Sequence, residues 1–226
     1  MLSIRGAAAA VGLVLALPWS AAADPITITS GTFTLGGFAR GSFRSFVFSL
    51  GGDQDFAITG QNGDTPRQSF LPPCNEFGPC SAGAVTSPSG DLNILGLGDA
   101  TINGTHYSLT QYFGDPFHFS SGNVVIPDGS ADAFSLTSPF TFTGSLDVFA
   151  IDASGRSNVG LFSLTGQGTA TTRFRRVHNE LGDGYAIEGV TFGFGSQTPE
   201  PASLLLLGTG SALLIRRKSR REPAAS

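Results

Sequence analysis

Phenylalanines two residues apart recur along the chain, at Phe46 and Phe48, Phe117 and Phe119, Phe140 and Phe142, and Phe192 and Phe194. A period of two puts both rings on one side of an extended strand and leaves the other side mainly to Ser, Thr or Gly. Short alternating runs separated by glycine continue the pattern at 26–29, 32–35, 46–50, 56–59, 92–95, 106–111, 123–126, 133–136, 140–143, 146–151, 161–165, 169–174 and 185–194. No capped stretch of helical length precedes the C-terminal tail. The pattern predicts an all-β fold, an antiparallel β-sandwich or jelly-roll over residues 24–196, with one aromatic face per strand buried.

Three stretches echo one another: Phe56 to Gly60, Phe140 to Gly144 and Phe162 to Gly166. Their spacing is irregular, so they read as equivalent strand ends rather than units of a solenoid or propeller. Residues 61–90 are rich in Pro, Gly and Ser and predict a long surface loop. Only 13% of the chain is charged, and residues 24–199 hold seven arginines against fifteen acidic residues. This balance argues against nucleic acid as a partner, because phosphate binding requires clustered Lys and Arg. The solvent face must be built from uncharged polar residues.

Cys74 and Cys80, in a segment with three prolines, are the two cysteines of the chain and read as a disulfide closing a small loop. Zinc would require further Cys or His ligands nearby, so no metal is assigned there. Asp53, Asp55 and Asp64 are weak candidates for calcium, since they lack the regular loop and closing bidentate Glu, and turn chemistry accounts for Gly51-Gly52-Asp53 equally well. His106, His118 and His178 match no metalloprotease or deaminase pattern, and no Gly-x-Ser-x-Gly elbow is present in the body. Arg173, Arg175 and Arg176 form the body's basic cluster; they read as charges guarding a solvent face or a strand edge, or as contacts to an anionic polysaccharide or lipid head group. Asn103-Gly104-Thr105 matches a glycosylation acceptor, a pattern that arises often by chance. No catalytic residue and no cofactor is assigned, and the expectation is that the chain is not an enzyme.

Residues 1–23 read as a signal peptide. Arg5 supplies a weakly positive start, Ala7 to Leu17 is apolar, and Ala21 and Ala23 are the small residues a signal peptidase accepts, with cleavage after Ala23.

The C-terminal segment has three parts in order. Pro199, Glu200 and Pro201 form an extended handle, because proline lacks an amide donor and restricts the residue before it. Residues 202–215 are uncharged and predict a single transmembrane helix, short for a span. Arg216, Arg217, Lys218, Arg220 and Arg221 then act as a stop-transfer signal that stays on the cytoplasmic side. Over residues 197–221 the chain resembles the PEP-CTERM family of bacterial surface proteins. The resemblance implies recognition by an exosortase near the Pro-Glu-Pro handle, and a tie to exopolysaccharide and biofilm matrix. The expectation is a precursor anchored in the inner membrane and then released to the cell surface or matrix, where it serves as a structural or adhesive protein. A carbohydrate-binding module is the alternative, and a secreted hydrolase the third reading.

Overall fold

A computed structural model describes residues 24–36, 45–62, 74–75, 78–129, 131–180 and 182–195. Ten strands follow in order: β1 (Ile26–Gly36), β2 (Ser45–Gly52), β3 (Ala57–Asn62), β4 (Val85–Thr86), β5 (Gly90–Ile102), β6 (Thr105–Ser121), β7 (Val124–Val125), β8 (Ala133–Asp152), β9 (Gly155–Asn179) and β10 (Gly182–Phe194). All but β4 and β7 join one closed barrel in the order β1-β10-β9-β8-β6-β5-β3-β2, and β4 pairs with β7 as a separate two-stranded sheet.

The all-β, antiparallel expectation holds, but the strands close into one barrel in place of two stacked sheets. β1 is the closing element. Its first residues, Ile26 to Ile28, run parallel to β9 opposite Leu164 to Gly166. After an irregularity between Ile28 and Ser30, residues Gly31 to Leu35 pair antiparallel with β10, while the other edge of β1 pairs with β2. Local departures of this kind let one strand bend from one neighbour to the next.

The thirteen sequence runs become fewer, longer strands because many of the separating glycines lie inside strands. β8 alone absorbs three runs and crosses Gly144; β9 absorbs two and crosses Gly166 and Gly168. These glycines leave room for rings. A Cβ built at Gly60 would meet Phe48 Cζ at 2.4 Å, one at Gly144 would meet Phe117 at 2.7 Å, and one at Gly166 would meet Phe194 at 2.8 Å. The three echoed stretches therefore end at gaps in the barrel wall that neighbouring phenylalanines fill.

The interior is packed with those rings. Phe33 lies parallel to Phe48, with centroids 5.6 Å apart, and edge-on to Phe117 at 6.0 Å. Phe119 stacks on Phe192 at 4.1 Å, and Phe140 meets Phe194 edge-on at 5.1 Å. Each buried Phe contributes about 1.5–3 kcal/mol of transfer free energy, and each aromatic pair about 0.5–1.5 kcal/mol beyond it. Asn103 and Gly104, both at positive φ, form the two-residue turn between β5 and β6, so the acceptor-like tripeptide begins with hairpin turn chemistry.

Candidate functional site

The tail and leader residues singled out above lie outside the described residues: Ala21, Ala23, Pro199, Glu200, Pro201, Arg216, Arg217, Lys218, Arg220 and Arg221, together with Asp64. The described chain ends at Gly195. Among the described residues no helix is long and apolar enough to cross a membrane.

Cys74 and Cys80 form the expected disulfide. Their loop is also tied to the barrel. The Ile187 amide donates to the Cys74 carbonyl at 3.0 Å, and Cys80 and Tyr185 exchange two backbone hydrogen bonds of 2.9 Å. Cys74 is fully buried, so the bridge fixes a segment across one end of β10.

Asp53 is occupied by a turn. Its carboxylate accepts the Thr27 amide at 2.9 Å, its own amide donates to the Thr27 carbonyl at 3.1 Å, and Gln54 and Asp55 follow at φ near +58° and +53°. Among the described residues no three His, Cys, Asp or Glu side chains gather in a metal-binding group.

Each histidine faces a cross-strand neighbour. His118 contacts Asp91, His178 Nδ1 lies 2.7 Å from Asp183 Oδ1, and His106 Nδ1 lies 3.4 Å from Thr101 Oγ1. These are pairs on the outer surface, at directly opposed register positions. In the basic cluster, Arg173 Nε lies 2.8 Å from Glu188 Oε2, and Arg176 sits over the Tyr185 ring at 5.8 Å from its centroid. The Phe174 ring between them is buried, as the alternation predicts. Sequence reasoning missed Arg156, whose guanidinium lies 3.6 Å from the Phe149 centroid and 4.9 Å from that of Phe113, two rings on the outer face of the barrel. Only the register of β6 on β8 brings those two rings together, so no local signal marks the cluster.

A second feature is built from threonine. Side chains between the inward residues point outward, and on β8, β9, β10 and β1 Thr recurs among them. Thr137, Thr171, Thr191 and Thr34 lie side by side across four strands. Thr143, Thr165 and Thr27 make a shorter row where β1 pairs with β9. Thr141 lies opposite Gln167, and Thr169 lies between Pro139 and Gly193. Strand geometry spaces such side chains about 4.8 Å across strands and about 6.7 Å along them. The residues of these rows carry no charge. Its signal in the sequence is a second period of two, with threonines at 27 and 29, 32 and 34, 141 and 143, and 169 and 171.

Where β1 leaves β9 for β10, the wall opens into a cleft of about 560 Å³ lined by Thr27, Ile28, Thr29, Thr141, Phe142, Thr143, Thr165, Gly166, Gln167 and Gly195. A cleft of this size with a few converging polar groups has room for a ligand. Its lining contains no carboxylate, histidine or cysteine.

Two residues beyond the cleft's last lining residue, residues 197–221 match the model of the PEP-CTERM protein-sorting motif. The chain carries this motif, the substrate signal recognised by exosortase, which implies an exported, membrane-anchored precursor sorted to the cell surface. No curated protein and no solved structure matches the chain.

Proposed function

We propose that this exosortase-sorted protein serves as a structural or adhesive component of the cell surface or extracellular matrix, and that its body acts by binding rather than by catalysis. The observation that carries the reading is the sorting motif at 197–221, which directs the body outward. Three further features support it. A signal peptide over residues 1–23, cleaved after Ala23, fits the same route. The Cys74–Cys80 bridge suits an oxidising compartment. The barrel is filled with aromatic side chains, so its outer surface remains to meet partners, and that surface is hydroxyl-rich and sparing in charge.

The proposed route starts with a precursor held by residues 202–215 and the basic cluster after them, until exosortase acts near Pro199, Glu200 and Pro201. Cells with and without the exosortase are fractionated, and the termini of the mature protein are read by mass spectrometry. The expected product in the surface or matrix fraction starts at Asp24 and lacks Arg220. An intact Arg220 in that fraction sinks the proposal.

A carbohydrate-binding role is a second reading, favoured by the cleft and the threonine rows. The cleft lining offers hydroxyls and an amide but no acid pair, which is why binding is preferred here over hydrolysis.

A further inference from the structure

We propose that the threonine face binds a neutral, polyhydroxylated polymer, one stretch of which seats in the cleft while its neighbours run along the rows of Thr. The proposal rests on the carbohydrate-binding reading above and gives it a site and a ligand class.

The chemistry of the cleft selects the ligand. The floor of the cleft is the barrel wall at Ile28, Phe142 and Gly166, where the two side chains turn inward and are 2% and 1% exposed. Around it stand the hydroxyls of Thr27, Thr141, Thr143 and Thr165 and the amide of Gln167. A hydroxyl donates one hydrogen bond and accepts others, and a primary amide does both, so this set matches alcohol groups in either orientation. Among the described residues, none of these five side chains has a hydrogen-bond partner. Thr27, Thr141, Thr143 and Gln167 are exposed.

Charge excludes other classes. An anionic or cationic ligand seated here would lose hydration and find no opposite charge in the lining to offset that loss. A neutral polyol exchanges water's hydrogen bonds for those of Thr and Gln at little cost. Each such bond contributes only about 0.5–1.5 kcal/mol, too little to hold a single sugar firmly. Repetition changes this, because the row Thr137, Thr171, Thr191 and Thr34 presents further hydroxyls on the same outer wall, and a polymer engages successive contacts at high effective concentration.

Gly195 lines the cleft, and the sorting motif begins two residues further along the chain.

The test uses the full chain in mild detergent, run through native gels containing dextran, a neutral glucan, or alginate, a polyanion, with polymer-free gels as reference. Dextran is expected to retard the wild type. Two variants probe the cleft: Thr143→Glu adds charge at its rim, and Thr141→Tyr fills it without charge. Each is expected to need at least tenfold more dextran for the same retardation, whereas Gln61→Glu on β3, outside the cleft, is expected to match the wild type. Thermal melts confirm that all three fold.

Wild-type retardation in both cleft variants overturns the site. No retardation by dextran overturns the ligand class, and retardation by alginate alone does so in favour of the arginine cluster. The cellular fraction holding Thr143→Glu separates this inference from the surface role. A variant that fails to bind yet still reaches the surface counts against the binding site only; a wild type that binds dextran but stays out of the surface fraction counts against the surface role only.

Discussion

Gly168 occupies a point where a single methyl group has no room, because a Cβ there would lie 1.9 Å from the carbonyl oxygen of Gly193 on the adjacent strand. Backbone cannot swing aside as a side chain does, so Gly168→Ala must push β9 and β10 apart. We expect it to cost about 3 kcal/mol or more in urea unfolding of the full chain in detergent. Gly193→Ala is the matched control. Its Cβ would clear the nearest atom by 3.6 Å, and a change within about 0.5 kcal/mol is expected. Tyr112 is a second residue whose surroundings set a measurable property. It is fully buried, and its hydroxyl donates to the Asp99 carbonyl. Burial, with the Asp99 charge adding a smaller push, raises its phenol from 10.0 to about 12. The folded state therefore holds the proton more tightly than the unfolded chain, so this contribution to stability is complete below pH 10 and is lost as the pH climbs from 10 to about 12. The loss amounts to roughly 2–3 kcal/mol. Urea midpoints of the wild type are expected to fall across that window more steeply than those of Tyr112→Phe, and parallel profiles would refute the assignment.

Among the elements, the short segment around the disulfide was legible only in its covalent chemistry. The spacing of Cys74 and Cys80 in a proline-rich stretch announces a bridge, but its backbone bonds to Tyr185 and Ile187 depend on where β10 passes, which no local pattern encodes. Replacing both cysteines with alanine should lower stability by about 2 kcal/mol. Because the segment is also hydrogen-bonded to β10, hydrogen exchange at the Ile187 and Tyr185 amides should accelerate, while exchange at Thr191, farther along the same strand, stays slow. Equal acceleration at all three would mean that the bridge supports the whole barrel. The long strands teach a related lesson. Periodicity located β8 and β9, since Phe140, Phe142, Leu146, Val148 and Phe174 alternate and all face inward. It also suggested breaks at Gly144, Gly166 and Gly168, because glycine in sequence does not reveal whether it ends a strand or makes room for a ring from the next one. The threonine rows followed the same alternation but were overshadowed by the phenylalanines; the cleft was invisible, since it arises only where β1 changes partner.

For the molecule as a whole, sandwich and barrel share one alternation pattern and differ in whether the outermost strands find each other. Here they do: β1 and β10 are the first and last strands and lie side by side, and β1 also touches β9. The β1–β10 pairs join residues more than 150 positions apart, for instance Phe33 with Phe192, and topologies rich in distant contacts fold slowly. The chain also cannot finish its wall early. Until the strand that ends at Phe194 has arrived, β1 and β9 each keep a raw edge open to any passing strand. The sorting motif starts three residues later, so a chain cut or stalled before β10 lacks both its keystone and its address, and an undelivered fragment of that kind is at the same time a sticky one.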